Sequence, residues 1–298
     1  MRRNIVSPAR DGRSRHADKK GTMPKKTFLK LTAVSLLFLT ASSHAGGFAW
    51  PPASKMDFSK AERDAAATDP GFYTLNPGSV KMVPDSCALE KDLEYPDPSK
   101  TGLAEGLVLI DRIINIASKV WDIIQQNAPV VSIDTKYASA VPQGIEAWNQ
   151  LSGWSKPHSC AYSFNATNLF GVRTVDVTYK VIYTSGGNYQ GKGRYLTGVT
   201  VVPTNVNVKW GYRFSFAAQV PDSTIVNAGS AEDPVAALQL KLGWKISTAF
   251  QSTEGVSVYY IRGDGSSEEI ASPFPTTKMI VDADSAEPLL TDQTVIFR

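Results

Sequence analysis

From Val206 to Phe216 every second residue is large and apolar: Val206, Val208, Trp210, Tyr212, Phe214 and Phe216, with Asn207, Lys209, Gly211, Arg213 and Ser215 between them. A period of two puts one set on one face of a strand and the other set on the opposite face. The stretch therefore reads as one long, half-buried strand. The same rhythm runs through residues 172–263: Val175, Val177, Tyr179, Val181 and Tyr183 share a phase, and Ser185-Gly186-Gly187-Asn188 reads as the hairpin turn after them. Tyr189 to Val202 returns, with Gly191, Gly193 and Gly198 marking a bulge or tight curvature and Pro203 punctuating it. Leu240, Leu242, Trp244, Ile246 and Phe250 are in phase within Val235 to Phe250, and turns at 252–255 and 263–265 bracket a strand from Val256 to Arg262. Further strands are predicted over Val130–Val141, Ser159–Thr167, Glu268–Ala271 and Lys278–Val281.

Ahead of this series, apolar residues at 103, 107, 110, 114, 117, 121 and 124 keep helical spacing, widened by Ile113, Ile116, Val120 and Ile123. The spacing predicts one long helix over Leu103–Gln126, stopped at Asn127-Ala128-Pro129, with a broad apolar arc that needs a concave cover. The expected fold is thus α+β: a long curved antiparallel β-sheet packed around one long amphipathic helix, with an irregular Pro-rich strap before it. The domain plan is a leader over 1–45, the strap over 46–100, the helix-plus-sheet domain over 101–271 and a tail over 272–298.

In the leader, Lys25, Lys26 and Lys30 precede an apolar core, Leu31 to Leu39, and a small-x-small site, Ser43-His44-Ala45. Met23–Ala45 reads as a secretory signal peptide, with residues 1–22 as an over-extended start. Its removal would leave 21 basic and 26 acidic residues, a net of −5 in place of the +3 of the whole chain. The chain has two cysteines, Cys87 and Cys160, and export predicts that they form a disulfide pinning the strap to the sheet. The expected location is periplasmic or secreted, with no integral span in the mature chain.

The strap carries seven prolines, which forbid long helices or central strands. Ser59 and Glu62 are spaced as a capping box for one short helix that ends before Asp69-Pro70. Phe48, Trp50, Phe72, Tyr73 and Tyr95 are expected to anchor the strap by burying their rings.

The mature chain would keep a single histidine, His158, beside no nucleophile-elbow sequence, and it has no glycine-rich phosphate cradle. No catalytic residue, metal or cofactor is expected. Asp282, Asp284 and Glu287 have too few ligands for a calcium loop. Charge gives one candidate surface: residues 172–262 hold nine basic against five acidic residues, and Lys209, Arg213, Lys241 and Lys245 fall on the polar phase of their strands. Paired strands would bring these four to one basic face, suited to an anionic envelope component or an acidic protein partner. The competing role is to keep exposed strands from pairing with other chains. No nucleic-acid partner is expected.

The function expected is therefore a non-enzymatic binding or interaction protein of the bacterial cell envelope. The first alternative is an outer-membrane β-barrel, suggested by long alternating strands and penultimate Phe297. The second is a carboxylate-dependent polysaccharide hydrolase, with Glu232-Asp233 and Glu268-Glu269 as its clustered acids.

Overall fold

The computed structural model describes residues 48, 50, 57–89, 107–130, 136–274, 278–281 and 289–291, all within the unit Gly46–Arg298. The signal segment Met23–Ala45, Tyr95, the start of the predicted helix at Leu103, and Asp282, Asp284, Glu287 and Phe297 lie outside the described residues.

Strands dominate, in two antiparallel sheets. In spatial order the first contains β1 (Lys81–Leu89), β6 (His158–Thr167), β7 (Arg173–Tyr189), β8 (Lys192–Val208), β5 (Ala138–Gln143) and β2 (Leu109–Ile114). The second runs β15 (Leu289–Thr291), β14 (Lys278–Val281), β13 (Ser267–Ala271), β12 (Ser252–Arg262), β11 (Ala236–Ser247), β9 (Arg213–Gln219), β3 (Val120–Gln125) and β4 (Ala128–Pro129), with β10 (Val226–Asn227) beside β11. The sheets meet face to face through aromatic rings. Phe164 of β6 packs on Phe214 of β9 at 5.0 Å and on Trp244 of β11 at 5.2 Å, and Tyr179 of β7 meets Phe216 of β9 at 4.8 Å. The alternating apolar phases found in the sequence make this shared core.

The expected sheet around a long helix is overturned. Residues 109–125 form β2 and β3, and the interior is filled by the facing sheet. The stretch is so densely apolar that a period of two fits it as well as 3.6. Its Ile110, Ile113, Ile114, Ile116, Val120, Ile123 and Ile124 are β-branched, which favours the extended backbone. Asn115 then breaks it: its Oδ1 accepts from the N–H groups of Ala117 at 3.1 Å and Ser139 at 2.9 Å, taking the place of helical hydrogen bonds. At the far end Gln126 and Asn127 have φ of 49° and 69°, the paired left-handed turn of a tight β3–β4 hairpin.

The stretch Val206–Phe216 is also not one strand. β8 continues through Pro203 to Val208, the turn Lys209–Tyr212 crosses to the other sheet, and β9 begins at Arg213. Gly211 has φ +82°, and the ring of Tyr73 occupies the place where a Cβ would stand, so the turn needs glycine on both counts. Tyr212, Phe214 and Phe216 are buried, while Trp210 is 56% exposed at the turn.

The strap is more ordered than its prolines imply. Helix α1 (Lys60–Thr68) has the expected Ser59–Glu62 capping box and stops before Asp69-Pro70. Beyond it, β1 pairs with β6, and Pro84 is accommodated at an irregularity between Pro84 and Ser86 on a sheet edge. Cys87 faces Cys160 across this pair and the two are joined as a disulfide, which ties the edge strand to β6. Phe48 packs over Gly243 on the outer side of β11 and meets Trp50 at 4.9 Å; Tyr73 is buried.

Candidate binding surface

Three connections lie at one end of the two sheets: Asn168–Val172 between β6 and β7, Lys209–Tyr212 between β8 and β9, and Thr248–Gln251 between β11 and β12. The register requires this, since Val175 pairs with Val208 and Ser247 pairs with both Arg213 and Ser252. Each connection lifts large apolar side chains into solvent: Leu169 (56% exposed) and Phe170 (63%) on the first, Trp210 on the second and Phe250 (53%) on the third. Isolated exposed apolar residues are ordinary; several gathered at the turns of one end make this end the candidate surface.

The segment Pro70–Leu75, which follows α1, holds the three turns. Gly71 lies under the ring of Phe170, where a Cβ would come within 2.6 Å of it. Tyr73 meets Trp210 edge-on at 6.2 Å, and Leu75 O accepts from Gln251 Nε2 at 3.2 Å. The Tyr212 hydroxyl donates to Phe72 O.

Within the first turn, fully buried Asn168 organises the backbone. Its Oδ1 accepts from Phe170 N at 3.0 Å and Val172 N at 2.9 Å, and its Nδ2 donates to Phe72 O at 3.1 Å. Leu169 N donates to Thr74 O, Gly171 N to Asn168 O and Asn168 N to Val172 O, so all five N–H groups from 168 to 172 are satisfied within the protein. In the third turn Thr248 Oγ1 accepts from Phe250 N and Gln251 N, both at 3.3 Å.

The four predicted basic residues occupy different environments. Arg213 is committed inward: its guanidinium pairs with buried Glu62 at 2.6 Å and lies 5.0 Å above the ring of Phe58. Lys245 pairs across strands with Glu254 at 3.5 Å. Lys241 and Lys245 share the outer face of β11, with Gly243 and the Phe48 ring between them. Lys209 is exposed beside Trp210, at the hairpin end. No protein-family model, curated protein or solved structure matches this chain.

Elsewhere, His158 stacks on Tyr183 at 5.0 Å and its Nε2 lies 3.4 Å from Ser185 Oγ, a hydroxyl buried within β7, which runs through the turn expected at 185–188 and turns instead at Gln190-Gly191. Of the clustered acids, Asp233 pairs with Arg194 at 3.2 Å, and Glu268 and Glu269 point to opposite sides of β13, the first exposed and the second buried. A groove of about 140 Å³ opens between β3 and β8, lined by Trp121, Asp122, Lys136 and Thr200. Burial raises the Asp122 carboxyl above its usual range, against the pull of Lys136.

The residues that make the hairpin end were not singled out by periodicity. Trp210 and Phe250 fell in the inward phase of strands that in fact stop short of them. The available signal was Leu169-Phe170, an apolar pair in the gap between two predicted strands, where turn chemistry favours polar residues.

Proposed function

We propose that the protein works outside the cytoplasm as a binding protein of the cell envelope, and that its recognition surface is the hairpin end carrying Leu169, Phe170, Trp210 and Phe250. The observation that carries this is the convergence of exposed apolar side chains on three turns that one segment, Pro70–Leu75, touches in common through Gly71, Phe72, Tyr73 and Leu75. Pre-ordered turns contribute little conformational cost on binding, which is the economy expected of a recognition surface. The disulfide is compatible with an extracytoplasmic location, and among the described residues no helix is long and apolar enough to cross a membrane. Export through a Met23–Ala45 signal belongs to the same proposal, as does a supporting role for Lys209, Lys241 and Lys245 toward an anionic component.

Fractionation of cells expressing the full chain tests the reading. The wild-type protein is expected to co-fractionate with envelope material, and the double variant Phe170→Ser/Trp210→Ser to shift to the soluble fraction. Charge reversal at Lys209, Lys241 and Lys245 reads the electrostatic share through its salt dependence. An envelope association that ignores the double variant would remove the hairpin end from the proposal.

A further inference from the structure

Resting on that reading, we propose what the hairpin end meets: the interfacial layer of a phospholipid bilayer, into which Leu169, Phe170, Trp210 and Phe250 insert.

The shape of the surface is the first argument. The apolar side chains stand on three separate turns at the ends of strands, so they project as tips. A rigid protein partner would need a matching hollow for each, whereas a bilayer interface yields to projecting side chains. The composition is the second. Trp is favoured at the boundary between headgroups and acyl chains, while Leu and Phe are favoured deeper. Lys209 is exposed immediately beside Trp210, and Arg173, exposed next to Val172, pairs with Asp176 at 3.3 Å; these cations are placed to reach lipid phosphates when the tips are buried.

The backbone provides the argument that separates lipid from sugar or peptide. A segment that leaves water for an apolar medium must satisfy its own N–H groups, because the medium offers no partner. All five N–H groups from Asn168 to Val172 do so, and Phe250 N is satisfied by Thr248 Oγ1. Asn168 is fully buried and its amide is spent within the protein, on Phe170 N, Val172 N and Phe72 O. A glycan or an extended peptide is recognised through free donors and acceptors. On these two turns the N–H donors of residues 168–172, Phe250 and Gln251 are already bonded, while the exposed side chains Leu169, Phe170 and Phe250 are apolar. These donors are therefore prepared for desolvation.

Flotation of the purified full chain with phospholipid vesicles tests this, using neutral phosphatidylcholine vesicles and vesicles that also contain phosphatidylglycerol. The wild-type chain is expected to float with both and more strongly with the anionic set. Each ring removed is expected to weaken partition about tenfold or more, as burial of one aromatic side chain implies. Phe170→Ser/Trp210→Ser should therefore stay at the bottom of the gradient, while Val83→Ser, at an exposed position of β1, floats as the wild type does. Brominated acyl chains should quench part of the wild-type tryptophan emission, and the quenched part should be missing in Trp210→Phe, which still floats. Unchanged near-ultraviolet circular dichroism controls for folding.

Vesicles that fail to float the wild-type chain would overturn the lipid proposal. If envelope association in cells still depended on Phe170 and Trp210, the hairpin reading would survive with a protein or glycan in place of lipid. If that association ignored the double variant, the reading itself would fall.

Discussion

Glu62 belongs to two structures at once. Its carboxylate accepts from Ser59 N at 2.8 Å to close the cap of α1, and it pairs with Arg213 at the start of β9. Burial alone would raise this carboxyl, but the Ser59 bonds and then Arg213 outweigh it and hold the group below its ordinary value of 4.5. A carboxyl lowered on folding contributes stability that is complete above its unfolded value and is lost as pH falls through the folded one. Glu62→Gln is expected to flatten the acid limb of a stability profile below about pH 4.5 and to cost roughly 2–4 kcal/mol at neutral pH, read as a shift of the urea midpoint. His158 works in the same direction at a higher pH. Burial pushes its ring below the ordinary 6.5, so as pH drops the unfolded chain takes up the proton first and stability erodes from about 6.5 downward. His158→Phe, which keeps a ring against Tyr183, should remove that slope; an unchanged profile between pH 7 and 5 would show that the imidazole titrates as freely as in the unfolded chain. The tyrosines of the core should stay silent in an alkaline titration to beyond the usual range, since burial raises Tyr183 and Tyr212 to about 12 and Tyr162, Tyr179 and Tyr259 higher still.

Among the elements, β1 depends on its clip. It is an edge strand interrupted at Pro84, and the Cys87–Cys160 bond closes a sequence separation of 73 residues. A closed loop of that size is worth about 4 kcal/mol in the chain-entropy picture. Reduction is expected to lower the denaturation midpoint accordingly and to release hydrogen-exchange protection in β1 before β7 or β11. The turn at Gln126-Asn127 discriminates the strand pair β3–β4 from a helix. At Gln126 the backbone is left-handed, so Gln126→Gly should hold or raise stability by about 0.5–1 kcal/mol, whereas within a helix the same change would cost about 1 kcal/mol. Asn127 does not tolerate the same freedom, because its amide bonds Tyr212 O at 2.8 Å and Phe214 N at 2.6 Å. These local features divide what was legible. The Ser59–Glu62 cap and the apolar phases from β6 to β13 were readable, because they rest on neighbours in sequence or on a period of two, and the disulfide because the chain has only two cysteines; the strand ends were not, since β7 and β12 run through the turns expected at 185–188 and 252–255. β2 and β3 were not, because a run crowded with isoleucine satisfies two periods at once, and Asn115, whose side chain ends the first strand, looks like any polar residue on a helix face.

At the scale of the molecule, alternation picks out interior side chains within a strand but shows neither where the strand ends nor which sheet it joins. The phase from Val206 to Phe216 is unbroken although the chain turns at Lys209–Tyr212 and changes sheets; the cause, a glycine held over Tyr73, involves a residue far away in the sequence. The same long-range packing gathers Phe170, Trp210 and Phe250, which lie on three turns widely separated along the chain. The four lysine and arginine positions show the same limit: Lys241 and Lys245 share the outer face of β11, Lys209 lies in the turn before β9, and the pairing of Arg213 with buried Glu62 could be known only once α1 had a position. Site-specific photo-crosslinking in intact cells reads the working surface directly, with the reactive side chain placed in turn at Phe170, Trp210, Lys241 and Val83. Adducts with envelope lipid or protein concentrated at 170 and 210, and weak at 241 and 83, are expected. Strong adducts at Lys241 with none at Phe170 or Trp210 would contradict the hairpin end as the surface through which this protein acts.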